Sequence, residues 1–204
     1  MDSEVRLKFL AEQLDREVSR VEAWSTGWGS LYAATALTQA GLLPAISDRG
    51  IRIDLTVGAL SAALGSTALL GLPLRVTLPL KRARAHWNDT DRCRLLAEAE
   101  DALQRSAGAQ RLSSSWIPHA GNVAFNVGLA LILGLGYGRW KSAAISAGVG
   151  TLVGEANVLT QPHGLSDVLE RYQKGELRSS SGISWSAAPW AGVDTAGIAL
   201  RARY

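Results

Sequence analysis

The chain has few of the residues that usually carry chemistry: its 204 residues include one cysteine, one methionine and three histidines. Cys93 is alone, so no disulfide can form within the chain. The histidines have no recognised metal-ligand spacing, and no phosphate loop, dinucleotide fingerprint, nucleophile elbow or metalloprotease motif occurs. The sequence therefore predicts no catalytic, cofactor-binding or metal-binding residue, and it favours a non-enzymatic protein over an enzyme.

Charge is also missing from long stretches, although charged residues make up 19% of the chain. A membrane-spanning helix needs about 20 mostly apolar residues, whereas a soluble helix normally carries charges on its outer face. These stretches predict an integral membrane protein, with a soluble helical bundle as the alternative. The charge-free runs are Ala23–Ser47, Leu55–Leu74, Leu112–Gly138 and Ser142–Gly154, the last interrupted by Glu155.

The predicted fold is mainly α, a polytopic bundle of four spans arranged as two hairpins within a membrane domain of residues 23–162. Small residues recur along the spans, and small residues let helices approach closely in lipid. Gln39 is polar inside the first span and is expected to face protein. The spans are predicted at about 24–46, 55–74, 116–137 and 142–159.

Flanking helices are predicted on one side of this membrane domain. Residues 1–22 place Leu7, Leu10, Leu14, Val18 and Val21 on one helical stripe. A solvent-side helix is expected at about 90–107, ending at Gly108, and an amphipathic helix at 163–178, ending near Gly175.

Basic residues favour one orientation in the membrane. The side that would carry both termini and the long middle loop holds 17 of the 21 Lys and Arg residues. Positive charge collects on the cytoplasmic side, so both termini are expected there and a bacterial inner membrane is favoured. The net charge of +3 is too small to indicate a nucleic-acid partner.

The C-terminal tail, residues 182–204, changes to a period of two. Ile198, Leu200, Ala202 and Tyr204 alternate with other residues, which predicts a strand with one apolar face, and residues 183–185 begin a possible partner strand of a β-hairpin. The last seven to ten residues resemble the final strand of bacterial outer-membrane β-barrels. That resemblance implies the outer membrane as the alternative location and a sheet built from several subunits; otherwise the hairpin packs on its own chain.

A polar ladder is predicted inside the last two spans. Three polar residues share one face of the third span, and a hairpin folded about residues 139–140 places residue 122 level with about 157 and 126 with about 153. Glu155 then lies opposite the ladder. Ionisable residues inside spans are costly and mark candidate functional sites. The candidate intramembrane site is His119, Asn122, Asn126, Glu155 and Asn157.

Two roles remain open for this ladder. Its side chains could hydrogen-bond across the hairpin and fix its register, or they could form a proton, cation or lipid-headgroup site. We expect a structural or assembly subunit in the bilayer, self-associating or joined to other membrane subunits. The alternatives are a small channel or transporter around Glu155, and a membrane enzyme acting on lipid with His119 and Glu155 as acid and base.

Overall fold

The protein is mainly helical, as predicted. The structure is a computed structural model that describes residues 3–70, 77–85, 91–177, 184–191 and 196–203. A 3-10 turn, Leu43–Ala45, follows the first helix, and a π-helical turn, Ile132–Gly136, extends the fifth. The helices are α1 (Ser3–Leu42), α2 (Arg49–Leu70), α3 (Thr77–Ala85), α4 (Arg92–Ser113), α5 (Trp116–Leu131), α6 (Trp140–Leu159) and α7 (Gly164–Lys174).

Helix α1 joins two segments that the sequence suggested as separate units. The predicted N-terminal helix and the first predicted span form one helix of 40 residues. Residues 3–26 contain neither glycine nor proline, so nothing interrupts the backbone hydrogen bonds at the change from charged to charge-free sequence. Pro44, in the 3-10 turn, closes the helix. The same helix therefore contributes to both halves of the molecule.

The first half of α1 packs with α3, α4 and α7 around a closed apolar core. Leu10, Leu103 and Leu165 are completely buried there, one from each of α1, α4 and α7. Burying a leucine side chain contributes roughly 1.5–3 kcal/mol relative to leaving it exposed. This "closed core" accounts for the apolar stripe that the sequence predicted on residues 1–22.

Polar contacts at the edge of the closed core attach α7 to its neighbours. Arg6 Nε donates to the Tyr172 hydroxyl at 2.7 Å, and that hydroxyl donates to Glu100, which also pairs with Arg6. The ring of Tyr172 stacks on Phe9. Burial, reinforced by the Glu100 carboxylate, raises the pKa of Tyr172 to about 12.

One carboxylate is buried inside the closed core. Glu17 is 2% exposed; its Oε1 pairs with Arg20 at 2.5 Å, and Oε2 has no hydrogen-bond partner among the described residues. The carboxylate lies against Gly164 at the start of α7, where a Cβ atom would overlap it. Burial raises the pKa of Glu17, although Arg20 opposes the shift.

The second half of the molecule is built from two antiparallel helical hairpins. The first pairs the C-terminal half of α1 with α2, and the second pairs α5 and its π-helical turn with α6. Among the described residues, two helices are long and apolar enough to cross a membrane, α2 and Trp116–Gly136, and they overlap the second and third predicted spans. The first predicted span contains more Gly, Ser, Thr and amide residues than these two, and the fourth contains the charged Glu155; both features lower the hydropathy.

One local prediction differs from the structure. The helix predicted at about 90–107 is present as α4, and the basic segment around Lys81 lies in a further helix, α3. Gly108 does not end α4, which continues to Ser113, because Ala107 and Gln110 on either side of it are buried against the core. Residues 71–74 of the second predicted span and residue 178 at the end of the predicted helix 163–178 lie outside the described residues.

The C-terminal tail forms an antiparallel hairpin of β1 (Ser184–Ala191) and β2 (Ala196–Arg203). Ser184 pairs with Arg203, and Ala191 pairs with Ala196. The period-two segment of the sequence lies in β2, and β1 contacts α1. In the part of the chain that the structure describes, this sheet has two strands.

Candidate intramembrane polar site

The polar site lies on the α5–α6 hairpin, and a compact turn sets its geometry. Gly138 has φ +67°, a left-handed conformation that favours glycine. The Arg139 amide donates to the Leu133 carbonyl at 3.0 Å across the π-helical turn, and Ala143 is buried one turn into α6. The turn therefore returns α6 along α5 with little space between the helices.

Four of the five predicted site residues come together between these helices. His119 Nδ1 lies 2.5 Å from Glu155 Oε2, and Asn122 Nδ2 donates to Glu155 Oε1 at 2.9 Å. The same Asn122 amide donates to the Thr151 carbonyl at 2.9 Å, and Asn126 Nδ2 donates to the Asn122 side-chain oxygen at 2.9 Å. Both oxygens of Glu155 are thereby engaged, and the network bridges α5 and α6.

Small residues on α6 make this close approach possible. A Cβ atom at Gly154 would overlap the Asn122 amide, and one at Gly150 would overlap the Asn126 amide. Each amide of the ladder therefore lies directly against a glycine of the facing helix. Close packing over small residues is the usual mode of helix association in lipid.

The register of the hairpin differs from the predicted one. Asn122 lies opposite Gly154, not level with residue 157, and Asn126 lies opposite Gly150, not level with 153. The pairing is displaced by about three residues, and a π-helical turn lies between the ladder and the connection to α6. Asn157 consequently lies outside the ladder, and its Nδ2 is buried without a hydrogen-bond partner among the described residues.

A large cleft separates the two hairpins. Its volume is about 860 Å³, and its walls come from α1, α2, α5 and α6. Most of the lining is aliphatic or small, but it includes Asn122, Asn126 and Asn157 on one wall and Gln39 on the other. The Oε1 atom of Gln39 is buried and, in the part of the chain described, accepts no hydrogen bond.

Polar contacts join the hairpins at the two ends of this cleft. At one end Arg139 donates to both oxygens of Asp54, from Nε at 2.8 Å and Nη2 at 2.6 Å, and Ser142 also donates to Asp54. At the other end the indole nitrogens of Trp24 and Trp28 reach the Thr160 hydroxyl, at 3.3 and 2.9 Å. The hairpins are therefore fastened at both ends and open between them.

The Asp54–Arg139 pair was not predicted from the sequence, although a signal existed. Asp54 immediately precedes a charge-free run, and Arg139 immediately follows another. In the predicted two-hairpin topology, both hairpin turns lie on the same side, so these charges were candidates for contact.

A second, smaller cavity lies at the junction of the hairpin with the closed core. It measures about 420 Å³ and is lined by Ser114, His119, His163 and Asp167, among others. Ser114 Oγ and His163 Nδ1 lie 2.8 Å apart. In the described residues no group of three or more His, Cys, Asp or Glu side chains is arranged to hold a metal ion.

The ladder lies between these two cavities. His119 lines the smaller cavity, Asn122 lines the cleft, and Glu155 is hydrogen-bonded to both. The arrangement can stabilise the hairpin, since it satisfies polar groups that lipid could not. It also places an acid and a base in direct contact, so a proton can pass between Glu155 and His119.

Comparisons with protein-family models, with curated proteins and with solved structures gave no match.

Proposed function

We propose that the protein is an integral membrane protein in which both hairpins cross the bilayer, giving four spans. The support is the distribution of side chains in the two hairpins. Large apolar side chains face outward, and amides face inward between the helices. Leu37, Leu135 and Leu152 are each more than 70% exposed. In water such a surface would be a strong aggregation liability, whereas in lipid it is the expected exterior.

Length supports the two less hydrophobic spans. Helix α6 has 20 residues, which corresponds to about 30 Å, the thickness of a hydrocarbon core. The part of α1 beyond Glu22 is equally long. The distribution of Lys and Arg then favours an inner membrane, with the closed core and both termini on the cytoplasmic side.

Within that membrane we assign a non-enzymatic structural role in which copies of the chain assemble. The observation that carries this role is the β1–β2 hairpin, whose outer edges pair with no further strand in the described chain. A two-stranded hairpin is marginal alone, and a free edge is a template for another strand. Pro189 removes one donor from β1, whereas β2 contains no proline, so β2 offers the more complete edge.

The test is the native mass of the full chain in a mild detergent. We expect a discrete homo-oligomer, and Leu200→Pro, which removes a donor from β2, is expected to shift the mass to the monomer. Leu200→Val is the matched control, because it preserves both the strand propensity and the donor. A monomeric unsubstituted chain, or an oligomer that survives Leu200→Pro, would contradict assembly through β2.

A second candidate function is proton-coupled transport. The specific observation is the chain of contacts from His119 through Glu155 to Asn122, which links the small cavity to the cleft. Proteoliposomes enclosing a pH-sensitive dye provide the test. Glu155→Gln would abolish proton flux with no change in oligomeric mass if transport is the role; a change in thermal stability alone would assign Glu155 to packing.

A further inference from the structure

We propose that the smaller cavity, between the second hairpin and the closed core, binds the head group of a zwitterionic phospholipid that carries a primary amine. Arg111 holds the phosphate of this head group, and Asp167 holds its ammonium. The inference rests on the membrane placement proposed above, because it requires the cavity to lie at the surface of the bilayer. It does not depend on assembly through the β-hairpin.

The place of the cavity in the fold favours a lipid over a soluble ligand. Its lining residues lie around the two points where the second hairpin begins and ends, the start of α5 at Trp116 and the end of α6 at Leu159. These two side chains are 74% and 70% exposed. Tryptophan side chains collect where hydrocarbon meets water. A lipid head at this level lies in the cavity, while its acyl chains stay outside against the exposed apolar face of the hairpin.

The cavity carries one charge of each sign, and the protein neutralises neither of them. Arg111, in the last turn of α4, and Asp167, in the first turn of α7, both line it, yet they form no ion pair with each other or with any other described residue. Glu170, whose charge Arg111 also influences, pairs with Lys174 at 2.5 Å instead. A ligand with one negative and one positive group therefore matches the cavity, whereas a purely anionic ligand would place a second negative charge beside an unpaired Asp167.

Hydrogen-bond acceptors in the cavity indicate a primary ammonium. Ser114 Oγ donates its one proton to the Gln110 carbonyl at 2.9 Å, so His163 Nδ1, 2.8 Å from the same Oγ, is the donor in that contact. An ionised Glu155 can only accept, so His119 Nδ1 is likewise a donor. Each ring then has its Nε2 left as an acceptor while it is neutral. The lining thus supplies a carboxylate and two imidazole acceptors, which equals the three N–H donors of an ammonium.

This arrangement predicts an order of affinity among phospholipids. An ethanolamine head has both a phosphate for Arg111 and a primary ammonium for Asp167, and hydrogen bonds between charged groups are the strong ones. A choline head keeps both charges, but its quaternary nitrogen has no N–H to donate. A glycerol head has no positive charge at all. We therefore expect the ethanolamine phospholipid to bind more tightly than either of the others.

Native mass spectrometry of the full chain, released from a mild detergent, tests the proposal. Phospholipids with ethanolamine, choline or glycerol heads and identical acyl chains are titrated separately, and the bound fraction is measured. We expect the ethanolamine lipid to bind about tenfold more tightly than the other two, a difference of about 1.4 kcal/mol. Asp167→Asn should remove this preference by weakening the ethanolamine lipid, whereas Arg111→Gln should weaken all three lipids.

Arg92→Gln is the matched control, because Arg92 is exposed on the same helix as Arg111 but lies outside the cavity lining. It should leave every affinity unchanged. Arg111 and Asp167 are themselves exposed, so all three variants are expected to fold. Equal affinities for the three lipids, or a preference that survives Asp167→Asn, would overturn the proposal. So would displacement of the lipid by an equal concentration of glycerophosphoethanolamine, which would assign the cavity to a soluble ligand.

A failure of the membrane placement gives a different result from a failure of this inference. A chain that partitions into the detergent phase but binds the three lipids equally contradicts the head-group site alone. A chain that stays in the aqueous phase contradicts the placement, and the head-group site with it. Partition between the two phases is therefore measured before the lipid titrations.

Discussion

The two halves of this molecule bury opposite kinds of side chain, although α1 runs through both. In the closed core Leu10 is completely buried, while Leu37, on the same helix, is 73% exposed. In the half built from the two hairpins, amide side chains point inward instead, and Asn126 is only 6% exposed. The proposed placement of the hairpin half in lipid would account for these opposite arrangements, because only water can satisfy polar groups on the outside.

This difference in burial indicates that the two halves are stabilised by different interactions. The closed core gains from removing apolar surface from water, whereas helices in lipid associate through close packing and hydrogen bonds. Substitutions of the same type should therefore have different effects in the two halves.

The largest difference is expected for leucine truncation along α1. Leu10→Ala should lower the free energy of unfolding by about 2–5 kcal/mol, because it opens a cavity in the closed core. Leu37→Ala should change it by less than about 0.5 kcal/mol. Denaturant unfolding in one fixed detergent measures the free energy of unfolding of both variants. Equal losses for the two variants would mean that leucine burial stabilises both halves alike.

The next effect concerns charge on the outward face. Leu64, 61% exposed in α2, should oppose insertion when changed to Lys, at a cost of about 2.5–3.5 kcal/mol near the membrane centre. Gln104→Lys, exposed on α4, is the control and should not affect insertion. Co-translational insertion into microsomes gives the readout; a tolerated Leu64→Lys would place α2 in water.

A smaller loss is expected in the polar ladder. Asn122→Ala removes hydrogen bonds to Glu155 and to the Thr151 carbonyl, each worth roughly 1 kcal/mol in lipid. Val123→Ala, on the adjacent and partly exposed position, should change stability less. Thermal unfolding in detergent compares the two, and a greater loss for Val123→Ala would show that packing outweighs the network.

The smallest effect is a pH dependence in the closed core. Because burial raises the pKa of Glu17, the folded state holds this proton more tightly than the unfolded state does. The free energy of unfolding should therefore fall as pH rises from the ordinary carboxyl pKa through the raised one.

The check on this slope is Glu17→Gln, which removes the titrating group and should flatten the decline in melting temperature over that window. Glu12→Gln, exposed on the same helix, should leave the slope unchanged. Parallel slopes for Glu17→Gln and the unsubstituted chain would show that Glu17 is not linked to folding.

Much of the fold could be predicted because local sequence determines it. Charge-free runs mark α2 and α5, and Gly175, with φ +76°, ends α7 where its left-handed conformation is needed. Helical periodicity and one tight turn also predict that His119 and Asn122 on α5 face Glu155 on α6.

The remaining features depend on contacts that are distant in sequence. The pairing of the ladder differs from the predicted one by about three residues and leaves Asn157 outside it, and Gly134 and Gly136 do not by themselves indicate a π-helical turn. The burial of Glu17 depends on α7, which begins at Gly164. The open cleft depends on how two hairpins meet, which periodicity within either hairpin does not encode.

The uninterrupted course of α1 has a mechanical consequence. At the helical rise, its 40 residues form a rod about 60 Å long, with one end in the closed core and the other beside the cleft. Because the same helix lines the cleft and packs in the closed core, a tilt of one half is expected to move the other. We therefore expect α1 to couple the width of the cleft to the packing of the closed core.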